Sequence, residues 1–172
     1  MVSFKGKLLV ASPRLVGSFS NTVIFMTCHN REGATGFCIN RKSEPCLCPE
    51  CSGTIVDQFP TYLGGPVGVG ECLCMIHGIE RLAGKLKKNT IMPGVYWGTP
   101  RKLDKALQLP RDDWRFKIIT GCSRWDAGQL EREIATGCWL VEDATPELVL
   151  DTDPDDIWHL LAPSIIPQFS DN

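Results

Sequence analysis

The chain has 172 residues, of which 43% are hydrophobic and 22% are charged, and its formal net charge is -2. This length and composition predict one soluble globular domain over residues 1–172, large enough to bury its own core. The basic residues are scattered, which argues against direct nucleic-acid binding, and the longest apolar runs fall well short of the roughly 20 residues of a membrane span.

The cysteines and the N-terminal residues indicate the compartment. Nine cysteines, an odd number, are spread through apolar runs and do not fit the disulfide framework of a small secreted protein. The first apolar run, residues 8–11, is far shorter than the hydrophobic region of a signal peptide. We therefore expect a cytoplasmic protein whose cysteines are mostly reduced and buried.

Short apolar runs in the first hundred residues predict β-strands, because they are rich in β-branched residues and end at glycine or proline. They cover residues 7–11, 22–28, 34–40, 61–68, 71–78 and 94–98. A turn at residues 29–33 joins the second and third runs as a hairpin. The fourth run ends in a glycine turn.

Helices are predicted in the second half of the chain. One begins at Thr99 and Pro100, and the last begins at Asp153 and Pro154, since a capping residue before a first-turn proline starts a helix. The last helix should turn three apolar residues inward, namely Ile157, Leu160 and Leu161. Strands that mostly precede helices favour an α+β fold with a mixed or mainly antiparallel sheet.

The pattern of residues 118–140 is the most informative in the chain. It predicts a buried strand, a glycine-rich turn, a capped helix and a second strand. Asp126 stands at the N-cap position, and Gln129 can complete a capping box. Gly137 follows the last turn, where a left-handed residue ends a helix. Leu130 shares the apolar face with another residue four positions on. The charged residues of the helix are expected to point mostly to water; they are Glu131, Arg132 and Glu133.

Several short motifs follow one another in a fixed order, and together they are specific. They lie at residues 6–13, 19–25, 29–41, 63–67, 77–78 and 121–140. On these motifs the chain resembles the YqgE/AlgH family of bacterial proteins (UPF0301, DUF179), over roughly residues 6–162. The chain departs from the family pattern at residues 16–18, at residues 122–124 and in the cysteines of residues 46–51.

The resemblance implies an α+β domain with a strongly curved sheet that forms a partial barrel, with helices packed around it. It implies no established activity. One branch of the family carries the label of transcriptional regulator, but this sequence has no recognisable helix-turn-helix or basic recognition helix.

The family motif positions supply candidate ligand-binding residues: His29, Asn40, Arg41, Gly64, Gly65, Trp125 and Gln129. His29 is placed to act as a general base or ligand contact, or instead to cap a strand end through backbone hydrogen bonds. The two glycines allow either a close approach of a ligand phosphate or a tight turn in a curved sheet. No Lys-Ser/Thr pair follows them, so they do not form a P-loop.

The sharpest local cluster is formed by Cys46, Cys48 and Cys51. Three thiolates at this spacing suit zinc or an iron–sulfur cluster. A fourth ligand could come from Cys72, Cys74 or His77. No second Cys-x-x-Cys pair follows at the usual spacing, so the alternative is that these are ordinary loop cysteines. We expect no cofactor, with zinc at this loop as the one option to test.

Catalysis has weaker support than binding. Cys122 and Ser123 lie near a helix N-terminus, which suits a nucleophile, but the sequence offers no matching acid–base partner and no Gly-x-Ser-x-Gly elbow. We expect a non-catalytic binding or regulatory protein with a protein or small-molecule partner. The alternative is a small-molecule-binding protein or hydrolase-like enzyme that uses a cleft near His29, Asn40 and the turn at residues 121–129.

Overall fold

The computed structural model describes residues 2–43, 59–71, 73–83, 89–99, 108–110 and 114–162. The strands, in chain order, are β1 (Lys7–Ala11), β2 (Val23–Asn30), β3 (Gly33–Cys38), β4 (Lys42–Ser43), β5 (Thr61–Leu63), β6 (Leu73–His77), β7 (Thr90–Met92), β8 (Val95–Gly98), β9 (Phe116–Thr120), β10 (Ser123–Asp126) and β11 (Trp139–Asp143). The helices are α1 (Glu80–Ala83), α2 (Gln129–Ala135), α3 (Pro146–Leu150) and α4 (Ile157–Leu161).

The strands form two sheets. Sheet A has the order β10-β3-β2-β1-β11 and is antiparallel throughout, and sheet B has the order β4-β5-β9-β6-β8-β7, in which only β5 and β9 run parallel. The predicted α+β class and mainly antiparallel pairing are confirmed. The division into two sheets follows from a sharp corner, because Gly121 and Cys122 alone separate β9 of sheet B from β10 of sheet A. Gly121 has a φ of +69°, which favours glycine.

The main core lies between the two sheets. The alternate residues of each sheet that face the other are fully or almost fully buried. They include Leu8, Phe25, Phe37, Ile76 and Ile119. Residues of α3 and α4, among them Val149 and Ile157, join this core. Each of these side chains contributes about 1.5–3 kcal/mol by leaving water.

Helix α2 covers the opposite face of sheet A. Leu130 of α2 is fully buried there, and Ile134 packs beside it, as the sequence predicts. Sheet A is strongly curved towards this helix. Its edge strands carry Trp125 and Trp139, which would stand about 19 Å apart across a flat five-stranded sheet. Their ring centroids are only 6.1 Å apart.

The ends of α2 differ in part from the prediction. Asp126 is not the N-cap: it is the last residue of β10, and Gly128, with a φ of 71°, caps the helix. Gln129 still accepts a hydrogen bond from the Asp126 backbone N–H at 3.0 Å, so half of the predicted capping box forms. Gly137 ends the helix with a φ of +76°, and the next N–H donates to the Glu133 carbonyl at 2.9 Å.

The last helix is corrected in two respects. It does not begin at Asp153 and Pro154 but at Ile157, after a turn, with Asp156 as its N-cap. Ile157 is buried as predicted, but Leu160 is 63% exposed. Trp158 takes the inward position instead, and its indole N–H donates to the Ala11 carbonyl at 2.9 Å. The helix predicted to begin at residues 99–100 lies outside the described residues. None of the described helices has the length and apolar character of a membrane span, and α2, with 7 residues, is the longest of them.

Candidate functional site

A half-buried carboxylate, that of Glu133, links the two edges of sheet A. Its Oε2 accepts hydrogen bonds from the indole Nε1–H of Trp125 at 2.8 Å and of Trp139 at 2.7 Å. Its Oε1 accepts a hydrogen bond from the Gln129 amide at 2.8 Å. Hydrogen bonds to a charged group contribute about 1.5–3 kcal/mol each. The carboxylate therefore holds the two tryptophans against each other.

Local structure explains why these groups meet. Residues alternate across β10, so that Ser123 and Trp125 face inward. Gln129 and Glu133 are one helical turn apart and share a side of α2. Glu133 was expected to point to water, and that expectation is wrong. The signal for its role was present, because two buried indole N–H groups need an acceptor and Glu133 borders the apolar face of α2.

The tryptophans and Glu133 line a pocket of about 330 Å³, called here the indole pocket. Its apolar wall also contains Leu15, Phe19, Pro66 and Val67, and its polar wall contains Ser123, Arg124, Gln129 and Cys138. Phe19 packs edge-on against Trp139 at 5.8 Å between ring centroids. This lining is mainly apolar, with few polar groups, which is typical of small-molecule sites.

A second depression, of about 320 Å³, lies at the hairpin end of β2 and β3, beside β10. It is shallow and more polar, with Cys28, Asn30, Thr35 and Asp126 in its lining. Arg124 lines both the depression and the indole pocket.

His29 lines neither of these pockets. Its side chain is 1% exposed, Nδ1 accepts from the Phe4 backbone N–H at 3.0 Å, and Nε2 lies 3.1 Å from Glu131 Oε1. Because a backbone N–H can only donate, Nε2 carries the ring proton and donates it to Glu131. The pKa of Glu131 is held below its usual value, first by a hydrogen bond from its own backbone and further by His29. His29 thus ties the N-terminal segment to α2.

Asn40 and Arg41 secure the loop before β2. Asn40 accepts a hydrogen bond from the Val23 backbone N–H and donates one to the Asn21 carbonyl, both at 2.8 Å. Arg41 donates to the Ser20 carbonyl at 2.9 Å. Neither residue lines the two pockets described.

Gly64 and Gly65 allow two segments to approach closely at the wall of the indole pocket. A Cβ on Gly65 would lie 2.4 Å from Ser123 Oγ, and one on Gly64 would lie 2.5 Å from the Gly121 carbonyl oxygen. The Ser123 hydroxyl is buried and donates to the Gly64 carbonyl at 3.0 Å. The glycine turn leads directly into Pro66, which lines the indole pocket together with Trp125 and Gln129.

The cysteine cluster predicted to bind metal, Cys46, Cys48 and Cys51, lies outside the described residues, as does Cys72. Of the other two proposed ligands, Cys74 is half-buried and His77 is fully buried in β6. In the part of the chain that the structure describes, His, Cys, Asp and Glu side chains form no group of three or more that could hold a metal ion. The metal site remains a prediction.

Comparison with known proteins places these features in context. The sequence model of the family described as AlgH-like, DUF179, matches residues 8–169. A UPF0301 protein of Chlorobium luteolum is 34% identical over 161 residues, which covers 89% of this chain and 81% of the relative. A UPF0301 protein of Methylococcus capsulatus is 28% identical over 165 residues, covering 90% of this chain and 87% of the relative.

Two solved structures share the architecture. The solution structure of AlgH from Pseudomonas aeruginosa matches with a TM-score of 0.71 and 25% identity, covering 95% of this chain and 88% of that one. The crystal structure of a Corynebacterium diphtheriae protein matches with a TM-score of 0.73 and 19% identity, covering 97% of this chain and 90% of the other. The second likeness is one of fold.

Proposed function

The chain belongs to the AlgH-like DUF179 family, and we propose that it is a non-catalytic binding protein that takes a small ligand in the indole pocket. The observation that carries this proposal is the set of three N–H donors on Glu133, which fixes both indole rings and the carboxylate in the pocket wall. A site whose groups are already ordered binds more tightly, because less freedom is lost on binding.

Ser123 and His29, the candidate nucleophile and the candidate general base, are both occupied by structural hydrogen bonds, which supports binding over catalysis. The Ser123 hydroxyl donates its hydrogen to the Gly64 carbonyl and is only 1% exposed. The free lone pair that a neutral His29 would use as a general base, on Nδ1, already accepts from Phe4.

The proposed location is the cytoplasm. The described cysteines Cys28, Cys38, Cys74, Cys122 and Cys138 are all free thiols. Thiols persist in a compartment that glutathione and thioredoxin keep reducing.

A thermal-shift screen against metabolites, with a matched pair of variants, tests the function. Val67 lines the indole pocket, whereas the neighbouring exposed Val69 lines neither pocket described. Val67→Phe should fill the pocket, and Val69→Phe is the control. A true ligand should raise the Tm of the wild type and of Val69→Phe but not that of Val67→Phe. A screen without any stabilising compound, or an equal response of Val67→Phe, would contradict the proposal.

A further inference from the structure

The indole pocket places a carboxylate, that of Glu133, beside an aromatic wall. We propose that the ligand of this pocket is a small organic cation, a primary amine with an apolar body. Its ammonium group binds the Glu133 carboxylate, and its body packs against the aromatic rings of the wall. This inference rests on the proposed function and specifies the class of ligand that the same pocket binds.

The hydrogen bonds of Glu133 place its carboxylate at the pocket. The side chains that donate to it, those of Trp125, Gln129 and Trp139, all line the pocket. Glu133 itself is only partly buried, so these side chains hold the carboxylate without closing it off from solvent. Of the described residues, two indoles donate to Oε2, but only Gln129 donates to Oε1. Because a carboxylate oxygen has about two lone-pair sites, Oε1 can accept one more donor.

The negative charge of Glu133 is not compensated inside the pocket. No positively charged side chain of the described residues forms an ion pair with it. Arg124 contributes to the pocket lining, but along β10 it alternates with Trp125 and pairs with Thr35. Its side chain therefore lies on the opposite face of sheet A. The donors to Glu133 are neutral, and in a mainly apolar pocket the remaining charge attracts a cation and repels an anion.

The aromatic wall sets the body of the ligand. The Trp139 ring stands at 82° to the Trp125 ring and at 75° to the Phe19 ring. The three rings therefore form a corner, and an apolar group in it contacts more than one ring. Burial of such a group gains the transfer free energy of apolar surface. The volume of about 330 Å³ is at the small end of ligand pockets, which suits a single ring or a short branched chain.

Calorimetric titration with matched compounds tests the charge of the ligand. The amines are 3-methylbutylamine and phenethylamine; the alcohols are 3-methylbutan-1-ol and 2-phenylethanol; the acids are 4-methylpentanoate and 3-phenylpropanoate. At least one amine should bind about tenfold or more tightly than its own alcohol and its own acid, since a close pair of opposite charges contributes at least that factor. An alcohol or acid that binds as tightly as its amine overturns the inference, and so does the absence of binding by both amines.

Variants assign the attraction to Glu133. Glu133→Gln keeps an oxygen that accepts hydrogen bonds but removes the charge, so the preference for an amine over its alcohol should fall about tenfold. Glu131→Gln is the matched control, because Glu131 carries the same charge on the same helix and lines neither pocket described. An unchanged preference in Glu133→Gln, or an equal loss in Glu131→Gln, overturns the assignment.

A second pair of variants decides if Glu133→Gln does not fold. Val67→Phe should abolish amine binding because it fills the indole pocket, whereas Val69→Phe should leave it unchanged. Amine binding that persists in Val67→Phe overturns the inference, and so does its loss in both variants.

The two proposals fail in different ways. If the metabolite screen finds a compound that Val67→Phe excludes, but amines bind no more tightly than alcohols, the pocket binds a ligand of another class and the proposed function stands. If Val67→Phe responds to every ligand as the wild type does, the pocket itself is not the site.

Discussion

Two ionisable side chains of the described residues, Glu133 and Lys117, differ sharply in their surroundings. Glu133, on the α2 side of sheet A, accepts three N–H hydrogen bonds of 2.7–2.8 Å. Lys117, on β9 between the sheets, is 4% exposed, and its described hydrogen bond is a long one of 3.4 Å to the Ile39 carbonyl. Its ammonium also lies 4.5 Å from the centre of the Tyr62 ring.

The difference shows that an interior charge is tolerated where hydrogen-bond partners replace water, and is costly where burial removes water and few partners take its place. An ammonium carries three N–H groups, and one long hydrogen bond and a nearby aromatic ring replace only part of the water around them. The charged form of Lys117 is therefore disfavoured. Burial accordingly lowers the pKa of Lys117 from 10.5 to about 8, against the opposing pull of Asp153 and Asp151. The hydrogen bonds to Glu133 stabilise the fold, whereas the charged form of Lys117 destabilises it.

The largest expected effect is that of removing the Glu133 carboxylate. Glu133→Ala removes the acceptor of two buried indoles and of Gln129. We expect the free energy of unfolding to fall by about 4 kcal/mol, since each buried donor left without a partner costs about 1–3 kcal/mol. Urea denaturation measures it, and Glu32→Ala in the exposed hairpin turn is the control. A loss below about 1 kcal/mol would show that the hydrogen bonds to Glu133 contribute little to stability.

The next effect concerns Lys117 and depends on pH. Its folded pKa, about 8, lies below the value of 10.5 in the unfolded chain. Between these pH values the unfolded chain binds a proton that the folded protein does not, so the stability of the wild type rises with pH. Lys117→Met lacks this rise. It should be more stable than the wild type by about 3 kcal/mol at pH 7, and the gap should close as the pH approaches 10.

Denaturation midpoints of both proteins across this pH range provide the measurement. Lys5→Met, at an exposed position, should show a constant difference from the wild type. A gap between wild type and Lys117→Met that does not change with pH would mean that Lys117 keeps its proton in the folded state.

Single indoles should have smaller effects. Trp125→Phe and Trp139→Phe each keep most of the ring but remove one N–H donor to Glu133. Each should lower the free energy of unfolding by about 1–2 kcal/mol. A double-mutant cycle with Glu133→Leu isolates the hydrogen bond, and the coupling should be near 1 kcal/mol for each indole. Trp97→Phe, at a position 37% exposed, should change little. If each Trp→Phe change lowered stability equally with Glu133 and with Glu133→Leu, the indole hydrogen bonds to Glu133 would be contradicted.

The smallest expected effect is that of Glu131→Gln. Glu131 pairs with His29, but its side chain is 36% exposed, so solvent screening should keep the loss below about 1 kcal/mol. The pKa of Glu131 lies below its usual 4.5. Its contribution is therefore present above that pH and is lost as the pH falls through the folded pKa. The Tm difference between wild type and variant should shrink on acidification, and a growing difference would contradict this sign.

Much of the local structure followed from the sequence. The strand at residues 7–11, the β2–β3 hairpin and the buried side of α2 were predicted from apolar periodicity, and the structure confirms them. The misassigned Asp126 cap shows the limit of this reasoning. An Asp three residues before a Gln suits a cap, yet pairing of Asp126 with Gly33 extends β10 through that residue.

The candidate site was predictable in part. Trp125, Gln129 and the glycine turn were named from their motifs, and they lie at the indole pocket or in its wall. Whether they bind a ligand remains to be tested. Glu133 was missed, because its own charge and its charged neighbours on α2 favoured a position in solvent, although it borders the apolar face of the helix three residues after Leu130.

The sequence by itself determined which segments become strands and helices, because backbone preference and apolar spacing act over a few residues. Only the tertiary structure decided that a corner at Gly121 splits the strands between two sheets. It also decided that sheet A curls until its opposite edges meet at one carboxylate. These outcomes depend on strands distant in the sequence packing together, and on where each buried charge finds its hydrogen-bond partners.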